Sequence, residues 1–197
     1  MAEKYTGVKF AVPEGALAKK TVLTVESKGL IRAMKKAAKE LAERGLSQGT
    51  SGNVSTRTSK GFIITTTASK LASLSDEDFV LVEEFDFEGN SLKKAFGFKT
   101  PSSETPMHHL IYKARPDVNA IIHVHDPALI SEKAIAKLRL PVTEQELSYG
   151  TKDIAEGVAA LITGKDAVVA RNHGIVVVGK SIEDCLEKVV TLHRRAK

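Results

Sequence analysis

The sequence predicts one α/β domain. Three observations carry that expectation. The chain has 197 residues, within the range of about 100–200 that a single domain commonly spans. Short β-type apolar runs occupy the middle of the chain, with segments of helical period at intervals between them. Several of those runs sit close together as hairpin-like pairs, which points to a mostly antiparallel or mixed sheet.

Residues 1–27 carry little pattern, and Val8–Val12 with Thr21–Val25 read as a loose β pair around Pro13 and Gly15. From Ser27 onward, Leu30, Ile31, Met34, Ala37, Ala38 and Leu41 recur at helical spacing with lysines between them. Ser27 is placed to cap this helix and Gly45 to end it in a left-handed turn. Gln48–Asn53, with two glycines among small polar residues, is a loop. Val54–Arg57 and Gly61–Thr66 read as strands with a short connection. Leu74–Asp78 reads as a helical turn, Phe79–Val82 as a strand and Asp86–Asn90 as a turn. Thr105 followed by Pro106 signals a helix start, with Thr105 as N-cap and Pro106 at the first helical position; the helix stops before Pro116. Ala120–His125 is a strand, Ile130–Lys137 a helix and Val142–Glu146 a strand. Thr151–Thr163 is a helix ended by Gly164. Ala167–Ala170 and Ile175–Val178 are β runs joined through Arg171, Asn172, His173 and Gly174. Ser181 caps a last helix with Ile182, Cys185, Leu186, Val189 and Leu192 on one face.

Composition narrows the function classes. The apolar runs are far too short to span a bilayer, and the first ten residues have no signal-peptide character, so a soluble cytoplasmic protein is expected. Cys185 is the single cysteine, which excludes an intramolecular disulfide; its helical pattern marks it as a small buried residue. The net charge of +5 is dispersed. Lys35, Lys36 and Lys39 lie on the polar side of a helix, and no nucleic-acid motif with stacking aromatics is present. A basic chain without such a motif still suits a phosphorylated small molecule.

Three signals carry chemistry. Residues two apart on a strand point the same way, so His123 and His125 present two imidazoles on one face. That pair suits a zinc-like cation, and equally describes two hydrogen-bonded histidines at a strand end. Candidates for a third ligand are His108, His109, His173 and His193. His173 is favoured, because it joins two buried β runs beside a glycine; His193 lies at a helix end expected to fray. The second signal is Thr100-Pro101-Ser102-Ser103-Glu104, just ahead of a helix N-terminus. Free N–H groups and hydroxyls there can hold an anion, with Glu104 as a base; a plain capping loop reads the same way. The third is Gly52-Asn53 together with Thr65–Ser69, turns able to wrap an oxyanion or simply to form an edge strand.

Taken in order, GTSGNVSTR, ITTTASK, PSSE, H-x-x-IYKARPDVNAIIHVH and NHG make the chain resemble the class II aldolase/adducin family over about Gly45–Gly179. The resemblance implies a central, mainly antiparallel sheet flanked by helices in a three-layer sandwich. Residues 28–197 would form the catalytic domain and 1–27 an N-terminal extension. It implies a homotetramer with active sites at subunit interfaces. Zn2+ would be held by His123, His125 and His173, with Glu104 as catalytic acid/base. Gly52, Asn53, Thr67, Ala68, Ser102 and Ser103 would bind the substrate phosphate. The activity implied is a lyase reaction of carbohydrate metabolism. A ketose phosphate like L-fuculose 1-phosphate would be cleaved to dihydroxyacetone phosphate and a small aldehyde such as lactaldehyde. Other family reactions, a pentulose-phosphate 4-epimerase or a sugar-phosphate dehydratase, are the alternatives. A non-catalytic adducin-head-like domain would lose the metal histidines that this chain keeps. The chain departs from the family at Thr66, where a proline is usual, and at Ala68, where a glycine is usual. Gln145 stands where a family tyrosine serves the neighbouring subunit's site, and Tyr149 is the nearest tyrosine.

Overall fold

The computed structural model describes residues 6–197; residues 1–5, part of the expected N-terminal extension, lie outside the described residues. Among the described residues, eight strands form one sheet: β1 (Leu17–Ala18), β2 (Asn53–Thr58), β3 (Gly61–Thr65), β4 (Phe79–Asp86), β5 (Ser91–Phe96), β6 (Ala120–Val124), β7 (Ala167–Ala170) and β8 (Gly174–Gly179). Their spatial order is β1-β5-β4-β3-β2-β6-β8-β7. All neighbours pair antiparallel except β1 with β5. Five helices cover the sheet: α1 (Val25–Glu43), α2 (Thr105–Ala114), α3 (Glu132–Leu138), α4 (Lys152–Leu161) and α5 (Ile182–Ala196).

The strands are apolar on both sides because both faces are covered. One face packs Val54, Ile63, Ile122 and Ile175 against α1, α3 and α5, through Met34, Leu41, Ile135, Cys185 and Val189. The other packs Ile64, Val80, Ile121 and Val176 against α2 and α4, through Met107, Ile111, Ile154 and Val158. This is the expected three-layer α/β arrangement. The alternation along β6 sends Ile122 and Val124 to the α1/α5 face, leaving His123 on the opposite side with Ile121. No described helix is long and apolar enough to cross a membrane. Cys185 is buried, as its helical pattern implied; burial pushes its thiol up, and Sγ lies 3.3 Å from Ala120 O.

Several local expectations change. Residues 8–12 and 21–25 do not pair with each other. Ala11 bridges Ser91, and Leu17–Ala18 runs parallel to Ala95–Phe96. This segment therefore closes the open edge of β5, with Phe10 edge-on to Phe85 at 5.4 Å between ring centres. Strand β5 itself lacks an alternating apolar pattern, since Lys93 and Lys94 occupy its centre. Helix α1 starts earlier than Ser27. Thr24 is the N-cap, and Ser27 is its third helical residue, so the two complete a capping box. Leu74–Asp78 becomes two single-turn 3-10 segments, Leu71–Ser73 and Asp76–Asp78. Val142–Glu146 contributes only an isolated bridge from Val142 to Val169. Helix α2 begins one residue earlier than its motif implied. Ser102 O accepts from both Thr105 N (3.0 Å) and Thr105 Oγ1 (2.7 Å), which makes Thr105 the first helical residue and Glu104 the N-cap.

Candidate metal centre and adjoining cavity

Four chain segments meet at one end of the sheet. Strand β6 delivers His123 and, just past its end, His125. Strand β2 lies beside it with Asn53 opposite His123. On the other flank, β7 and β8 are joined by the tight turn Arg171–His173, in which Asn172 takes the left-handed conformation at φ 57°. Glu104, at the N-cap of α2, makes no side-chain bond to its own helix. Its carboxylate turns to the imidazoles instead.

The ligand atoms converge. His123 Nε2 lies 2.9 Å from His125 Nε2 and 3.2 Å from His173 Nε2. Glu104 Oε1 is 2.9 Å from His173 Nε2, and Glu104 Oε2 is 3.0 Å from His123 Nε2. All four groups offer an atom within 4.8 Å of the others. Three imidazole nitrogens facing one another cannot all find hydrogen-bond partners among themselves. A cation satisfies them together. A four-coordinate metal with bonds of about 2.0–2.1 Å to nitrogen sets its ligand atoms roughly 3.3 Å apart, close to the observed spacing. His123 Nδ1 donates to Ile175 O at 3.1 Å, which frees its Nε2 lone pair for the centre. The donor set therefore fits a divalent metal.

Electrostatics agree. Burial alone would raise the carboxyl of Glu104, but His123 and His173 outweigh it and hold the group well below the ordinary carboxylate range. Burial, reinforced by His123 and His173, pushes His125 down to about 3, so its ring is neutral near pH 7. A bound cation would supply the positive charge that the carboxylate faces.

Two glycines make the convergence sterically feasible. A Cβ on Gly174 would lie 2.5 Å from His123 Cε1 and 2.7 Å from Val124 O. Gly52 sits at φ 81°, and a Cβ there would meet His123 O at 2.6 Å.

The cluster opens into a cavity of about 290 Å³. Glu104, His125 and His173 line it; His123 lies fully buried. All six expected phosphate residues, Gly52, Asn53, Thr67, Ala68, Ser102 and Ser103, line the same cavity. Their donors are unequal. Thr67 N–H is used by Thr100 O (3.0 Å) and Ser102 N–H by Thr65 O (3.0 Å). Among the described residues, no hydrogen bond takes the N–H of Ala68 or Ser103, so both are among the backbone donors left for an anion. Ala68 holds φ 56° where the family uses glycine, which costs an L-residue about 1–2 kcal/mol. Tyr149 also lines the cavity, and its hydroxyl accepts from Thr6 N at 2.6 Å.

The other histidines go elsewhere. His108, weighed as a third ligand, is fully buried and bonds Asn53 and Ser55. His109 turns to Phe85. His193 is not at a fraying end: it bonds Asp126 and anchors α5 to the residue after His125.

The sequence model of the Class II Aldolase and Adducin N-terminal domain matches residues 32–197, and the chain belongs to that family. It is 34% identical over 169 residues to the L-fuculose phosphate aldolase of Methanococcus maripaludis, spanning 80% of this chain and 88% of the relative. It is 28% identical over 177 residues to the 5-methylthioribulose-1-phosphate/5-deoxyribulose-1-phosphate aldolase of Rhodospirillum rubrum, spanning 82% and 76% of the two chains. The crystal structure of L-fuculose-1-phosphate aldolase from Thermus thermophilus matches with a TM-score of 0.69 and 25% identity, covering 85% of this chain and 90% of that one.

The backbone geometry makes two predictions. Gly174→Ala will weaken divalent-metal binding at least about tenfold in a chelator competition, by displacing an imidazole whose placement the ligand set requires. Unchanged affinity would show that the close approach is dispensable. Ala68→Gly will raise stability in urea unfolding by about 0.5–1 kcal/mol, since the strain relieved exceeds the entropy that glycine adds to the unfolded chain. A loss of stability would contradict the strain.

Proposed function

We propose that the protein is a zinc-dependent class II aldolase. It reversibly cleaves a ketose 1-phosphate of the L-fuculose 1-phosphate type to dihydroxyacetone phosphate and a small aldehyde such as lactaldehyde. The observation that carries this reading is the convergence of three Nε2 atoms and one carboxylate beside a cavity with unused backbone donors. The similarity to fuculose phosphate aldolases supports the substrate class, and the similarity to a 5-deoxyribulose-1-phosphate aldolase supports a short deoxy sugar phosphate.

His123, His125 and His173 would hold the ion. Bound by three neutral imidazoles it would keep its charge and supply a Lewis acid for the substrate's carbonyl oxygen. The phosphate sits against Gly52, Asn53, Thr67, Ala68, Ser102 and Ser103, with the N–H groups of Ala68 and Ser103 as donors. Among the described residues no Lys or Arg lines the cavity, so what this chain offers the anion there is hydrogen-bond donors. In cleavage, the C4 hydroxyl gives up its proton to a tyrosine or water and the C3–C4 bond breaks. The electron pair passes to C3 as an enediolate, and Glu104 delivers a proton to that carbon. Synthesis reverses each step. Residues 28–197 form the catalytic domain, and residues 1–27 are an extension. The enzyme works in the cytoplasm as a homotetramer with active sites at subunit interfaces.

Incubating the zinc-loaded protein with L-fuculose 1-phosphate and 5-deoxyribulose 1-phosphate, with products followed by NMR, tests the reaction. Dihydroxyacetone phosphate and a free aldehyde are expected; a C4 epimer without aldehyde release would identify an epimerase instead. Glu104→Gln will retain metal and lower turnover by about 10²–10⁴. Near-normal turnover in that variant would remove Glu104 from the proton transfer.

A further inference from the structure

We propose that His108 is a positioning residue for the proton carrier: through Asn53 it fixes the carboxylate of Glu104. The inference rests on the reading of Glu104 given above. Glu104, His108 and Tyr112 recur every four residues from the N-cap of α2, so they form one stripe along the helix. Asn53 and Ser55 lie two apart on β2 and share a strand face. The two rows meet in a buried seam. Asn53 Nδ2 is 3.0 Å from Glu104 Oε2, and Asn53 Oδ1 is 2.6 Å from His108 Nε2. His108 Nδ1 is 2.7 Å from Ser55 Oγ, and Ser55 Oγ is 2.8 Å from Tyr112 Oη.

Every donor in this chain follows from one end. An ionised carboxylate only accepts, so the amide nitrogen of Asn53 must face Glu104. Asn53 Oδ1 then faces His108 and needs a donor, which places the single imidazole proton on Nε2. His108 Nδ1 becomes an acceptor for the Ser55 hydroxyl. Ser55 Oγ, having donated its proton, accepts from Tyr112. Burial agrees with these roles: it holds His108 neutral, down at about 3, and pushes the Tyr112 phenol up, so its O–H persists.

Such a seam has a use at Glu104. With the Nε2 lone pairs of His123 and His173 directed at a metal, these rings would offer that carboxylate no proton. Asn53 is then the side-chain N–H that still grips Oε2. A free amide could rotate and present its oxygen to the carboxylate. The Nε2 proton of His108 opposes that rotation, and the Ser55 hydroxyl accommodates this tautomer by donating to Nδ1. The result is a carboxylate held in one place before substrate arrives.

The tautomer can be read without any variant. In 15N-histidine NMR of the zinc-loaded protein, His108 will show a protonated Nε2 and a bare Nδ1; the reverse tautomer or a cationic ring would overturn the proposal. Two variants then separate position from packing. Glutamine places its amide nitrogen near the site of Nε2, whereas asparagine places its own near Nδ1. Proton exchange of dihydroxyacetone phosphate in D2O is the readout, with metal content and thermal stability measured in parallel. His108→Gln will keep exchange turnover within about threefold of wild type. His108→Asn will lower it about thirtyfold or more, with KM and metal content little changed. Equal turnover in both variants, or a loss confined to KM, would refute the positioning role. Glu104→Gln in the same assay separates the two readings: wild-type exchange there condemns the proton carrier itself, whereas lost exchange there beside two normal His108 variants condemns only the positioning.

Discussion

Placing three imidazole nitrogens and a carboxylate about 3 Å apart, with three of the four residues on different chain segments, is the constraint around which this structure is arranged. The three imidazole nitrogens face one another across a gap that suits a cation, and with one they become a ligand set. The surrounding backbone serves that geometry. Gly52 and Gly174 flank His123 where no side chain fits, and β2 and β8 clasp β6 in register from both sides. Helix α2 enters so that its N-cap residue faces the cluster instead of its own first turn.

The second organising feature is the polar seam between α2 and β2. Ser55 and His108 are fully sequestered, and Tyr112 nearly so, in a layer otherwise filled by Met107, Ile111 and Ile121. An apolar interface would pack there at lower desolvation cost, and a buried polar network is tolerable only when every member is satisfied. Here the members are satisfied in one direction, from Tyr112 to Glu104. Arg57 extends the same seam, donating to Tyr112 O, Arg115 O and Val118 O and so fastening the end of α2 to the sheet. The helix that carries Glu104 is thus held near both ends by polar contacts with β2.

Much of this was legible in the chain. The His123/His125 pair follows from the two-residue period of a strand, and His173 from its place between two buried β runs beside Gly174. Glu104 was visible as a carboxylate ahead of a helix start. Less visible were features set by distant partners. The role of His108 depends on Asn53 and Ser55, more than fifty residues away, and only the packing of α2 on β2 joins them. Strand β5 was hidden by Lys93 and Lys94 at its centre, and the irregular register around Glu84 shortened the readable part of β4. The N-terminal segment pairs with that hidden strand and not with a neighbour in sequence, so its partner leaves no local pattern. His193 looked peripheral, yet its tie to Asp126 needs α5 to fold back across the sheet.

The most direct test of the whole account is anomalous diffraction at the zinc absorption edge from crystals of the purified protein. The account predicts one peak within about 2.1 Å of the Nε2 atoms of His123, His125 and His173, beside the Glu104 carboxylate. Zinc-soaked crystals with no peak there, and with the three imidazoles bonded to other groups instead, would contradict it.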